Sequence, residues 1–199
     1  MNQDKINAYV TGLLELLKGF KVSDESIQHI RNHLTAIPTK SKSTLILPGE
    51  ICRNMYFIFE GGFVCRYIHP ETGEAKTINF YLPDLHPFMA CVDSYFTEVP
   101  TNCELKAITD SLVIALPKGH IDVLKEKDKH FSTFYNERVI TAMTEENELK
   151  TKLIAYSSKE KYDFILKEMP SVIQSVPSKY IAEFCGISAE WLSKLKKQQ

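Results

Sequence analysis

The sequence predicts an α+β protein in which an antiparallel β sandwich or barrel, flanked by helices, precedes a long helix and a compact helical end. Three observations carry this. Residues 43–117 break into short β runs separated by turn residues. Residues 120–169 contain neither Gly nor Pro and repeat apolar positions at helical spacing. The last twenty residues pair two short, apolar-faced helical segments around a single glycine.

In chain order, residues 1–36 read as helical. Leu13, Leu14, Leu16 and Leu17, then Ile27, Ile30 and Leu34, recur at helix spacing, Ser23 suits a cap and Pro38 stops the helix. The expected strands are Thr44–Leu47, Met55–Phe59, Phe63–Ile68, Ala75–Leu82, Leu105–Ile108 and Leu112–Leu116. Turns fall at Pro48-Gly49, at Gly61-Gly62 and at His69-Pro70-Glu71-Thr72-Gly73, the last closing a hairpin. No helix between them is long enough for a crossover, so the sheet is expected to be antiparallel. Residues 83–103 leave room for a loop and one or two helical turns.

A helix over 130–156 would be roughly 40 Å long at ~1.5 Å per residue. That exceeds what its own small domain can cover, so the stripe Tyr135, Val139, Ala142, Glu146, Leu149 and Leu153 is expected to meet the same stripe on a second chain. Ser157-Ser158-Lys159-Glu160 has the reciprocal S-x-x-E capping pattern and opens a helix over 158–169, ended by Pro170. Helices over about 177–185 and 189–197 complete the chain.

Composition narrows the function. The 199 residues allow one large domain or two small ones, and 44% hydrophobic with 25% charged residues is ordinary globular composition. No apolar run is long enough for a membrane span, and Asp4, Lys5, Glu15 and Lys18 punctuate the opening segment, so neither membrane nor secretion is expected and the location is read as cytoplasmic. The five cysteines include no C-x-x-C pair and read as reduced thiols. His29 and His33 stand four apart and could face one ion, but no third ligand is near in sequence, so no metal and no cofactor are expected. A nucleophile elbow, a phosphate loop and paired catalytic carboxylates are all missing, which argues against an enzyme. The formal charge of −1 hides an asymmetry: residues 151–199 carry 8 Lys against 5 Asp+Glu, with Lys194, Lys196 and Lys197 clustered at the end. A basic end on an acidic body points to an anionic partner there.

The segment from Lys179 to Lys197 decides the function. Two helices that cross sharply need a small residue at the close approach, a Gly at the turn and apolar facing sides. Ala182, Gly186 and the set Ile181, Cys185, Ile187, Leu192 and Leu195 supply them, and Ser188 can cap the second helix. With Leu192 and Leu195 inward, that helix presents Ala189, Glu190, Ser193, Lys194 and Lys197. Glu190 could accept from a cytosine amino group, and Ser193 and Lys194 could meet base edges or phosphates in a major groove. Ser178 and Lys179 would lie near the backbone, where free helix-start amides also favour phosphate. Trp191 is expected to pack against the rest of the unit.

These stretches, with Leu47-Pro48-Gly49-Glu50, Tyr56–Val64 and Ala107-Ile108-Thr109-Asp110-Ser111, resemble the cyclic-AMP receptor / fumarate-nitrate regulator (Crp/Fnr) family of transcription factors across nearly the whole chain. The phrase Lys179–Gly186 is similar to a subgroup common in Bacteroidetes. The resemblance implies a cyclic-nucleotide-binding-type β-roll (a double-stranded jelly roll) over 1–120 as sensory domain, a long linker and dimerisation helix over 121–156, and a helix-turn-helix DNA-binding domain over 157–199, with no β-wing expected after Lys197. It further implies a homodimer on a two-fold-related double-stranded operator, with RNA polymerase as a candidate partner.

One region departs from the family. Members that bind cyclic nucleotides carry a Gly-Glu pair at a helix start and, about a dozen residues later, an Arg before a small hydroxyl residue. Here Ala90 and Cys91 stand at the first place and Asn102 at the second, and residues 83–104 contain no Lys or Arg. A buried cyclic phosphate would have no cation and no built cradle, so cyclic AMP is not expected to bind in the family manner. The residues placed to line an altered effector pocket are Tyr81, Phe88, Ala90, Cys91, Asn102 and Cys103, and the effector, if one exists, is unknown. The alternative is a sensing or protein-interaction module whose DNA binding has weakened.

Overall fold

The computed structural model describes residues 3–197. Two helices open the chain, α1 (Gln3–Gly19) and α2 (Asp24–His33), and Ser23 caps α2 by accepting from the Ser26 amide. Their apolar stripes, Leu14 and Leu17 on α1 and Ile27 and Ile30 on α2, are buried against the β domain together with Val22 of the connection. The helical reading of 1–36 overshoots at its end: Thr35–Thr39 form strand β1, and Pro38 lies inside it rather than simply stopping a helix. Proline has no N–H to give a ladder, so it needs an edge, and β1 pairs only with β8 (Ser111–Pro117).

The remaining strands are β2 (Thr44–Ile46), β3 (Asn54–Glu60), β4 (Phe63–Ile68), β5 (Ala75–Tyr81), β6 (Phe88–Met89) and β7 (Cys103–Ala107). They form two four-stranded antiparallel sheets, ordered β1-β8-β3-β6 and β2-β7-β4-β5. The six strands expected from sequence are all present. The segment 83–103 holds the two-residue β6 and the short helix α3 (Val92–Thr97), within the room foreseen for it. At the β3–β4 turn Gly61 has φ +79, and a Cβ there would lie 2.6 Å from the Asp110 carbonyl oxygen, so the hairpin can close only on glycine.

Strand alternation makes the second sheet a middle layer. Phe63 and Cys65 face the roll interior with Ile58, Leu105 and Val113, while Val64, Phe80, Leu82 and Ile108 join a second core with the C-terminal helices. These helices are α4 (Lys118–Lys127), α5 (Lys129–Ala155), α6 (Ser158–Glu168), α7 (Pro170–Ser175), α8 (Ser178–Cys185) and α9 (Ala189–Lys197). The Ser157–Glu160 capping box is formed as expected. Pro170 also does more than end α6: it takes the first position of α7, where its missing N–H costs nothing.

The 27-residue α5 carries two neighbouring stripes. On the one expected to meet a second chain, Leu149 is buried in the chain's own second core and Leu153 packs beside it. Tyr135 packs on the roll core and Glu146 accepts from Asn79 Nδ2, while Val139 is half-buried and Ala142 exposed. The large apolar side chains that α5 leaves in solvent are Ile140, Met143 and Ile154, at 64%, 66% and 77% exposure, roughly 100° round the helix from the first stripe.

Candidate nucleic-acid interface

The α8–α9 pair is built as its sequence requires. Ala182 is buried where the two helices approach, Gly186 takes φ +69, and the Ile187 amide donates to the Ala182 carbonyl at 3.0 Å, closing the end of α8. Ser188 Oγ accepts from the Trp191 amide at 3.1 Å and so caps α9. Leu192 and Leu195 are buried, at 1% and 6% exposure.

The result is a clean division of α9. Ala189, Glu190, Ser193, Lys194 and Lys197 are all exposed, as are Ser178, Lys179 and Ser188. Every residue named from sequence for contact with duplex therefore lies on accessible surface around one helical pair. A hydrogen bond to the Ser188 hydroxyl holds the Glu190 carboxyl below its ordinary value, so it is an acceptor at neutral pH. Two side chains add detail to the sequence reading. Lys196 Nζ donates to Ser178 Oγ at 2.8 Å and ties α9 to the start of α8. Trp191, expected to pack against the rest of the unit, does so only in part and leaves 49% of its surface in solvent, because the inward positions of α9 are already filled by the two leucines.

A contact invisible in the sequence fixes this unit on the roll. Arg66 of β4 donates from Nε and Nη2 to the Glu183 carboxylate of α8 at 3.0 and 3.1 Å, and from Nη1 to Glu104 of β7 at 2.6 Å. Thr77 Oγ1 donates to Glu183 at 2.7 Å, and Phe80 meets Phe184 with ring centroids 4.8 Å apart. The only trace in the sequence is Glu183 itself, a charge within the otherwise apolar Tyr180–Cys185 run.

The expected effector residues come together inside the roll, but as packed core. Tyr81, Ala90, Cys91 and Cys103 are buried members of the roll's hydrophobic cluster, Phe88 is half-buried and Asn102 faces solvent. Cys91 stands at the N-cap of α3 without a side-chain cap bond. A hydrogen bond shared with Cys52, together with burial, pushes the Cys91 thiol up, and the Cys65–Cys103 pair does the same for Cys65, so both are neutral thiols. All five cysteines are free and buried. A shallow depression of about 470 Å³ opens on the roll surface beside Glu50, Arg53 and Asn54 and is lined by none of the expected effector residues. No helix among the described residues is long and apolar enough to cross a membrane.

The architecture is that of a two-sheet antiparallel β-roll joined through a long helix to a helix-turn-helix. It matches the solved structure of FixK2 from Bradyrhizobium japonicum with a TM-score of 0.70 at 13% identity, over 83% of each chain. A protein from Eubacterium rectale assigned to the Crp/Fnr family of transcriptional regulators matches with a TM-score of 0.67 at 13% identity, over 89% of this chain and 83% of that one. The c-di-GMP responsive global regulator CLP of Xanthomonas campestris matches with a TM-score of 0.65 at 10% identity, over 88% and 91%. At these identities the likeness establishes a shared Crp/Fnr-type fold. No protein-family profile and no curated protein sequence matches the chain.

Proposed function

We propose that the chain is a sequence-specific DNA-binding transcription regulator that acts as a homodimer. The observation that carries this is the division of α9, with Leu192 and Leu195 buried and Glu190, Ser193, Lys194 and Lys197 presented together beside Ser178 and Lys179. A helix of this kind at the surface, basic toward its end, suits a major groove, and the Crp/Fnr-type fold of the whole chain supports the reading. The homodimer is supported by α5, on which Ile140, Met143 and Ile154 form an apolar seam that the chain itself does not cover. Reading adjacent major grooves requires the two α9 helices about 34 Å apart.

The roll is the sensory part in this reading, with an effector site that does not take cyclic AMP in the family manner. Ala90, Cys91 and Asn102 offer no cation, and the first two are closed in core. The test is fluorescence anisotropy of the full chain with its own promoter duplex across a salt series. Tight binding that weakens with salt is expected, with Lys194→Ala plus Lys197→Ala, which removes four lysines from the dimer, lowering the salt slope by about 4. Cyclic AMP should change neither that affinity nor the melting temperature. An absence of binding at low salt would favour a sensing or protein-interaction module instead.

A further inference from the structure

We propose that His29, His33 and His120 form a binding site for one borderline transition-metal ion of the Zn²⁺ class, at the joint between the roll and the long helix. His29 and His33 lie one turn apart on α2, and α4 brings His120 from 87 residues further along the chain to the same place. One ligand nitrogen from each side chain can be chosen so that all three lie within 4.8 Å of one another. His29 Nε2 and His120 Nδ1 are already 3.1 Å apart, close to the about 3.3 Å that tetrahedral geometry with Zn–N near 2 Å demands. The His33 and His120 rings stack with centroids 3.7 Å apart, so ligation asks for a side-chain adjustment at this half-exposed cluster.

The surroundings prepare the donors. His33 Nδ1 sits 2.7 Å from the His29 carbonyl, which can only accept, so the proton is on Nδ1 and the Nε2 lone pair is left for a ligand. Burial and the neighbouring rings lower His29, with Lys127 adding to this and Glu25 opposing it, and burial with His33 lowers His120. Neutral imidazoles are the form a metal takes. Three protein nitrogens leave a fourth position for water, an arrangement imidazole-binding ions such as Zn²⁺ accept.

Such an ion would tie α2 to α4 a few residues before Asp128, which already bonds the start of α2 to the start of α5. The proposal does not depend on the DNA-reading assignment. Its test is titration of the untagged, chelator-stripped full chain with Zn²⁺ against a chromophoric competitor, with Co²⁺ visible absorption as a second readout. One ion per chain is expected, with a rise in melting temperature. His120→Ala and His29→Ala should each weaken binding at least tenfold and abolish that rise, with His120→Gln as the substitute if the alanine variant does not fold. Cys52→Ser plus Cys91→Ser should leave binding intact. Binding indifferent to His120, binding lost only with the thiols, or no binding overturns the site.

Discussion

Arg66 grips both carboxylate oxygens of Glu183 with Nε and Nη2 at 3.0 and 3.1 Å, so a strand of the roll holds a helix of the helix-turn-helix by a paired, charge-assisted bond. The third arm of the same guanidinium holds Glu104, and the side chains of the three residues are 16%, 26% and 10% exposed. One cation thus bridges two partly buried carboxylates across the seam between the two cores, and Lys106 Nζ, 4.0 Å from Glu104, offsets part of the charge it leaves.

Removing that cation leaves Glu183 with the Thr77 hydroxyl alone and Glu104 with only the more distant Lys106. Arg66→Met should destabilise the chain by about 3–5 kcal/mol in urea denaturation. Replacing all three groups with apolar residues of similar volume (Arg66→Met, Glu104→Met and Glu183→Leu) should recover at least half of the loss, because the uncompensated charges go with the cation. A triple variant no more stable than Arg66→Met would show that packing, rather than buried charge, sets the effect.

Asp128 is the second joint. One carboxylate oxygen accepts from the His130 and Phe131 amides at 2.9 and 3.0 Å, and the other from the Ser23 amide and hydroxyl at 2.9 and 2.8 Å. Burial alone would raise this carboxyl, but the Ser23 and Phe131 amides, with the Ser26 and Ser23 hydroxyls, outweigh it and hold the group well below the usual carboxylate range. A depressed folded-state pKa contributes stability above the unfolded value of about 3.9, and that contribution is lost as pH falls below it. The wild type should therefore lose stability below about pH 4 more steeply than Asp128→Asn, whose own cost at neutral pH should be about 1–2 kcal/mol. Parallel pH–stability curves would refute the role given to this carboxylate.

What the sequence could and could not disclose follows from range. The Ser157–Glu160 box, the Gly186 turn and the strand runs are local patterns, written in residues that touch their neighbours in sequence, and each is present in the structure. Pro38 misled because a proline marks a helix stop and an edge strand equally well, and only the pairing with β8 separates the two. The stripe on α5 is ambiguous for a similar reason: two apolar rows lie side by side, and the roll and the C-terminal core decide which one is covered. Arg66 with Glu183, and His120 with His29, are 117 and 91 residues apart, and no periodicity links them.

Two glycines with similar backbone angles should respond differently. Gly61 and Gly186 have φ +79 and +69, but only at Gly61 would a Cβ strike the backbone, with nothing within 4 Å at Gly186. Gly186→Ala should cost about 1–2 kcal/mol, the left-handed penalty alone, and Gly61→Ala clearly more. Equal losses in urea midpoint would mean that the β3–β4 turn yields more readily than its contacts imply.

The seam on α5 gives the proposed homodimer its own test. Ile140, Met143 and Ile154 are spaced by 3 and 11 residues, which keeps them on one face of a helix whose other apolar row is already engaged by Tyr135, Leu149 and Leu153. Leaving such a row in water is costly, at about 25 cal/mol per Å² of apolar surface, and a second copy of α5 is the surface that matches it in length and periodicity. Ile140→Glu with Met143→Glu places like charges along that row without touching the buried one. Sedimentation should then report a monomer with the wild-type circular dichroism, whereas Leu149→Glu should unfold the C-terminal core instead. A dimer that survives the first pair and fails only with substitutions at Val139 and Ala142 would move the contact back to the stripe read from sequence.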